Sequence, residues 1–194
     1  MKTGFLVLLL AGCGVSTFSL AQEAPPRTHR SYSVLGIAGQ NVTWAADHGF
    51  SEFGGVTIEA EQFVSRRLAI GLDLHPYMLI SQPETDAGDG RENVSAAALD
   101  ILIRYEIVPP SPRLRAYAEI AGGPFYALSR TPPAGSRFNF FTELGTGIEL
   151  PIGTRWWGVA GYRWVHISNA GTSGRNPSWN FHTLVLGARF HVSR

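Results

Sequence analysis

The chain has 194 residues, a formal net charge of +1, 22 glycines and 12 prolines. That length suits one domain, and the near-neutral balance offers no basic excess for nucleic acid. A single cysteine, Cys13, excludes a disulfide framework.

Met1-Lys2-Thr3 leads into the apolar stretch Gly4 to Ala11, too short to cross a bilayer as a helix, and Ser19-Leu20-Ala21 supplies small residues before Gln22. Residues 1–21 therefore read as a secretory signal cleaved after Ala21. Cys13 follows Leu10-Ala11-Gly12, which resembles a bacterial lipobox, so lipidation at Cys13 is the alternative. Residues 22–30, with Pro25 and Pro26, read as a short disordered arm, and residues 31–194 as the folded domain.

No stretch beyond the arm sustains a helical period. Alternation with period two recurs in eight segments, at about 31–43, 53–64, 67–80, 94–108, 113–127, 137–150, 154–168 and 179–192. An even number of long strands predicts a closed antiparallel barrel, which leaves no open edge.

The residue types on each face decide which way the barrel is turned. The third segment sorts Leu68, Ile70, Leu72, Leu74 and Met78 away from Arg67, Asp73 and His75. The fourth sets Leu99, Ile101, Ile103, Tyr105 and Ile107 against Asp100, Arg104 and Glu106. In the fifth, Leu114, Ala116, Ala118 and Ile120 oppose Arg115, Tyr117 and Glu119, and in the sixth Phe138, Phe140, Leu144 and Ile148 oppose Glu143, Gly145, Gly147 and Glu149. A soluble lipid-binding barrel would fill its interior with the apolar set. Long, nearly unbroken apolar faces opposite sparse acids, arginines and glycines favour a transmembrane β-barrel with an apolar outer band.

The links alternate in length. Ser65-Arg66, Pro109 to Pro112, and Pro151-Ile152-Gly153 are short, whereas Ser81 to Asn93 and Asn169 to Ser178 are long. Outer-membrane barrels carry short periplasmic turns and longer extracellular loops, so both termini are expected in the periplasm. Trp156 and Trp157 at one end, and Trp44, Trp164 and Trp179 at the other, are expected in interfacial girdles.

The seventh segment ends in His166-Ile167-Ser168. Residues i and i+2 of a strand share a face at roughly 6.6 Å, close enough for an imidazole and a hydroxyl to meet. Arg163 marks the interior of that segment, so His166 and Ser168 are expected to point outward near its extracellular end.

His166-Ile167-Ser168-Asn169-Ala170-Gly171, followed by Asn176-Pro177, Phe181-His182-Thr183-Leu184 and Gly187-Ala188-Arg189-Phe190, resembles the C-terminal signature of the PagL-type lipid A 3-O-deacylases, the acyloxyacyl hydrolase family of outer-membrane barrels. The resemblance is specific over about residues 160–190. It implies a serine esterase acting on lipid A of lipopolysaccharide in the outer leaflet, with Ser168 as nucleophile, His166 as base, and Asn169 and Gly171 near an oxyanion site. The family's acid stands twelve residues after the serine, where this chain has Asn180, and no Asp or Glu follows Glu149. Asn180 shares a face with Leu184, Leu186, Ala188 and Phe190, so its carbonyl is expected to orient His166.

On the same reading Trp164, Tyr162 and the apolar band contact acyl chains, and Arg175 in the last long loop contacts a lipid A phosphate. His182 shares the Asn180 face and either assists or lines the site, while His75 is expected in the lumen. No cofactor is expected, and no clustered ligands point to a metal. The rivals are a barrel of the same build that is structural or adhesive and without catalysis, and the soluble lipid-binding barrel.

Overall fold

Period-two alternation makes each segment a strand with one face per environment, and the eight strands close on one another. The computed structural model describes residues 29–41, 50–85, 90–109 and 111–192; the expected signal, Cys13, most of the arm and Trp44 lie outside the described residues. The strands are β1 (Arg30–Asn41), β2 (Glu52–Phe63), β3 (Leu68–Gln82), β4 (Glu92–Glu106), β5 (Arg115–Ala127), β6 (Phe138–Pro151), β7 (Trp156–Ser168) and β8 (Ser178–Val192). Each pairs antiparallel with its neighbours in sequence, and β1 pairs with β8 to seal a closed barrel. At the end of the segment read as an arm, His29 stacks on Phe63 with ring centroids 3.9 Å apart.

The barrel is inside out relative to a water-soluble protein. Ile101, Leu184 and Leu186 are each more than 60% exposed on the outer wall, amid a ring of exposed Leu, Ile, Val, Tyr and Phe side chains. An apolar surface that extensive, wrapped around a closed barrel with a charged lumen, is the pattern of a wall that faces lipid. Inside, Glu59, Glu61, Asp73, Asp100, Glu106, Glu119, Glu143 and Glu149 are buried with Arg104, Arg163 and Arg189.

Glu59 joins these three arginines. Arg104 reaches it at 3.1 Å and Glu119 at 2.9 Å, Arg189 reaches it at 2.6 Å, and Arg163 also donates to it. Arg163 further donates to Glu119 at 2.7 Å, Asp73 at 2.8 Å and Glu143 at 2.7 Å, and Arg104 pairs with Glu61. Buried charges cost least when they find partners, and the guanidinium fork supplies several at once.

Toward the long-loop end the lumen turns apolar, with Phe53, Met78, Ile80, Phe125, Phe141, Val165, Ile167, Trp179 and Phe181 packed together. Phe53 meets Phe181 edge to face at 4.9 Å, and Trp179 meets Phe181 at 5.8 Å. This plug backs the wall on which His166 and Ser168 stand.

Three expectations need correction. Met78 faces the lumen, because β3 carries one extra residue against both neighbours at His75-Pro76-Tyr77, which reverses the facing beyond it. Pro76 lacks an amide hydrogen and suits such a break in the ladder. Trp157 and Trp179 also point inward and are buried, so neither belongs to an outer girdle; Arg115 lies over the Trp157 ring at 4.5 Å. Trp156 does face outward, half exposed against Phe190 at 5.0 Å.

The links divide by end. Residues 64–67, 107–114 and 152–155 connect strands at one end, and residues 42–51, 83–91, 128–137 and 169–177 at the other. Two of the short connections share the sequence Ser-x-Arg-Leu: Ser65 Oγ accepts from the N–H of Arg67 at 3.2 Å and Leu68 at 3.0 Å, and Ser111 Oγ accepts from Arg113 at 3.2 Å and Leu114 at 3.0 Å. A hydroxyl replaces the strand partner where the chain reverses.

Candidate active site

Strands β7 and β8 meet with Tyr162 opposite Leu184, Trp164 opposite His182, His166 opposite Asn180 and Ser168 opposite Ser178. The buried residues between them, Arg163, Val165, Ile167, Phe181 and Thr183, take the lumen side. The strand period therefore sets Trp164, His166 and Ser168 on the outer wall with Asn180 and His182.

His166 Nδ1 lies 2.8 Å from Asn180 Oδ1, and His166 Nε2 lies 3.1 Å from Ser168 Oγ. With Nδ1–H donating to the amide oxygen, Nε2 carries the lone pair and accepts from the serine hydroxyl. That is the protonation pattern a nucleophile and its base require. The Trp164 ring lies against His166 with centroids 5.7 Å apart and planes 19° apart, which limits rotation of the imidazole. Ser168 is only 9% exposed, at the last residue of β7.

The loop after Ser168 is built on Asn169, which is fully buried. Its side-chain Oδ1 accepts from Gly171 N–H at 2.8 Å, and its carbonyl accepts from Thr172 N–H at 3.0 Å and Thr172 Oγ1 at 2.8 Å. Its amide Nδ2 donates to Ser173 Oγ and to the Arg175 carbonyl, each at 2.8 Å, and its backbone N–H donates to Asn176 Oδ1 at 3.1 Å. Ala170 at φ 51° and Gly171 at φ 78° take the left-handed turn these bonds impose. Gly171 does so without the steric cost of a side chain. The N–H groups of Asn169 and Gly171 are thus spent inside the loop, while that of Ala170 has no bond to another described residue.

Two contacts were not visible in the sequence. Tyr162 Oη lies 2.5 Å from His182 Nδ1, so His182 is held by a partner of its own, two residues along β8 from Asn180 on the same face. At the rim, Arg130 and Arg137 of the 128–137 loop line a concavity with Ser173 and Arg175 of the 169–177 loop. Of these arginines only Arg175 was singled out above, because the nearness of the two loops follows from the pairing of β6 with β7.

On the outer wall beside His182 and Leu184, a second concavity crosses Ala38, Gly54 and Leu79. Small side chains on β1 and β2 leave the depression.

A family model described as lipid A 3-O-deacylase (PagL) matches residues 54–189, over two thirds of the chain. The chain belongs to this family. Among solved structures, the outer membrane protein OprG of Pseudomonas aeruginosa is similar with a TM-score of 0.56 at 6% identity, over 87% of this chain and 98% of that one. Neisserial surface protein A gives 0.54 at 14% identity over 86% and 97%. Ail, the attachment invasion locus protein of Yersinia pestis, solved with the heparin analogue sucrose octasulfate, gives 0.52 at 12% over 86% and 99%. At these identities the likeness is one of fold: an eight-stranded barrel shared with outer-membrane proteins. A search of curated protein sequences returns no match.

Proposed function

We propose that this protein is an outer-membrane serine esterase that removes the acyl chain ester-linked at the 3-O position of lipid A. One observation carries the proposal: Ser168, His166 and Asn180 are aligned by hydrogen bonds on the lipid-facing wall, at the loop-bearing rim. A substrate embedded in the outer leaflet lies alongside that wall, so no enclosed pocket is needed.

In this reading His166 Nε2 takes the proton of Ser168 Oγ as the oxygen attacks the ester carbonyl. The Ala170 N–H is the donor left to receive the oxyanion. His166 then returns the proton to the departing sugar hydroxyl, and water activated by the same imidazole releases the fatty acid from Ser168. Phe140 and Leu144 of β6, opposite Ser168 and Trp164, give acyl chains an apolar bed, continued beyond His182 by the depression over Ala38 and Gly54. Arg130, Arg137 and Arg175 sit at the rim, where the phosphates of lipid A would lie. The N-terminal residues 1–21 are proposed as the secretory signal for this location.

Asn180 is the specific observation favouring a second reading, a barrel of the same build without catalysis, because an amide cannot neutralise imidazolium as a carboxylate does. Mass spectrometry of lipid A from cells expressing the wild type or Ser168→Ala tests both. Loss of one 3-O-linked acyl chain with the wild type alone supports the esterase; identical profiles support the silent barrel.

A further inference from the structure

We propose that the lumen holds one divalent cation of zinc or manganese type, bound by Asp73 and His75 of β3 and Glu143 of β6. The sequence shows no clustered ligands, since Glu143 lies far from the other two in the chain, and barrel closure brings them together. One ligand atom from each of the three lies within 4.8 Å of the others. The side chains of Asp73 and His75 are fully buried and that of Glu143 nearly so.

His75 Nε2 stands 3.6 Å from Asp73 Oδ1, 3.8 Å from Glu143 Oε1 and 3.4 Å from Asp100 Oδ2. Ligand atoms about 2.0–2.2 Å from a tetrahedral metal are separated from one another by roughly 3.4 Å, so these spacings suit a shared ion.

The polar atoms of the cluster also lack other uses. Neither ring nitrogen of His75 has a hydrogen-bond partner, nor does Glu143 Oε1, nor either oxygen of Asp100, among the described residues. A buried imidazole standing 3.4–3.8 Å from three carboxylates, without a hydrogen bond to any of them, leaves space for a shared ion. The second oxygens of Asp73 and Glu143 are held by Arg163 Nη1 at 2.8 Å and 2.7 Å, which fixes the first oxygens toward His75. Thr57 Oγ1 donates to Asp73 Oδ1 and leaves that oxygen one lone pair for a metal. Outer contacts of this kind orient metal ligands.

Charge points the same way. Asp73, Asp100 and Glu143 share one arginine, Arg163, which also pairs with Glu59 and Glu119, so the acids of the cluster outnumber the cations that face them and a divalent ion offsets the imbalance. Carboxylates with one imidazole match ions of zinc or manganese type better than soft copper(I). The ion ties β3 to β6 beside the β3 bulge and opposite Val165, on the inner side of the wall that carries His166. It has no role in the ester chemistry and does not depend on the function proposed above.

The test refolds the untagged protein from urea into detergent micelles with Zn2+ or with EDTA, removes loose metal by gel filtration and measures zinc by mass spectrometry. One zinc per folded barrel is expected for the wild type, with none above background for His75→Gln or Glu143→Gln, while Glu106→Gln retains it. Co2+ refolding supplies a readout that needs no variant: visible ligand-field bands of a low-coordinate site, absent in EDTA. A folded wild type without zinc or cobalt bands overturns the proposal and leaves the cluster balanced by protons. Zinc retained equally by His75→Gln and Glu143→Gln also overturns it, because the ion then sits elsewhere.

Discussion

His166 and Asn180 are directly registered partners on β7 and β8, and the 2.8 Å contact between Nδ1 and Oδ1 is made across that ladder. The side chain at position 180 is therefore placed by the same strand pairing that closes the barrel. A carboxylate at this position would do two things for the imidazole: fix the ring and tautomer, and stabilise the positive charge that would develop on it in the proposed ester hydrolysis. The amide supplies the first alone.

Replacement of Ser168 or His166 by alanine is expected to lower ester hydrolysis by about 10³-fold or more, the scale on which serine enzymes lose activity without nucleophile or base. Both side chains stand on the outer wall, apart from the lumen network, so the variants should keep the heat-modifiable gel mobility of a folded barrel. A folded Ser168→Ala variant with undiminished turnover would place the chemistry on another residue.

The arginines at the rim are expected to act on binding. Arg130→Gln, Arg137→Gln and Arg175→Gln combined should raise KM for a phosphorylated lipid A substrate with kcat little changed, since charge at a distance from the ester binds ground and transition states alike. The same triple variant should leave KM for a dephosphorylated substrate near the wild-type value. An equal rise for both substrates would assign the arginines a structural part in the loops.

Arg163 carries the largest predicted stability effect. Arg163→Met removes the donor shared by Glu59, Asp73, Glu119 and Glu143, leaving buried carboxylates uncompensated. Breaking a buried ion pair by deleting one partner costs about 3–5 kcal/mol. Urea unfolding in detergent should report a correspondingly lower midpoint. Arg115→Met, at a partly exposed position of the same lumen, should shift it far less.

Much of this architecture was legible because a barrel wall separates two solvents, so the period-two pattern is written into almost every strand. Arg163 told the inside of β7 from the outside, and from it the facing of His166 and Ser168 followed. The pattern fails where the ladder does. The extra residue at His75-Pro76-Tyr77 turned Met78 inward, and nothing local to Met78 reveals that. Trp157 and Trp179 misled for a different reason: an aromatic residue near a strand end suits a girdle or a lumen equally, and only its parity against Arg163 or Phe181 decides. The contacts least visible in sequence cross the barrel or join loops, as with His75 and Glu143, or Arg137 and Arg175, because they depend on how the strands assemble.

The sharpest test of the site is Asn180. Asn180→Ala removes the acceptor that holds Nδ1–H, and a hydrogen bond to a group that becomes charged is worth about 1.5–3 kcal/mol. On the transition-state scale that is a fall in kcat of roughly 10- to 150-fold, with KM little changed. Asn180→Asp keeps the side-chain shape and places a carboxylate oxygen in the same register, so it should match or exceed the wild type once ionised, because it adds charge stabilisation of imidazolium. The gain is present above the pH at which the new carboxyl ionises and disappears as pH falls through it, so the ratio of Asn180→Asp to wild-type kcat should rise with pH. The half-buried position of Asn180 beside lipid opposes ionisation and moves that rise toward higher pH. Steady-state kinetics of the three proteins in mixed micelles across pH decide the matter. An Asn180→Ala variant with wild-type kcat would show that His166 is oriented by another group, and that the registered contact across β7 and β8 is structural alone.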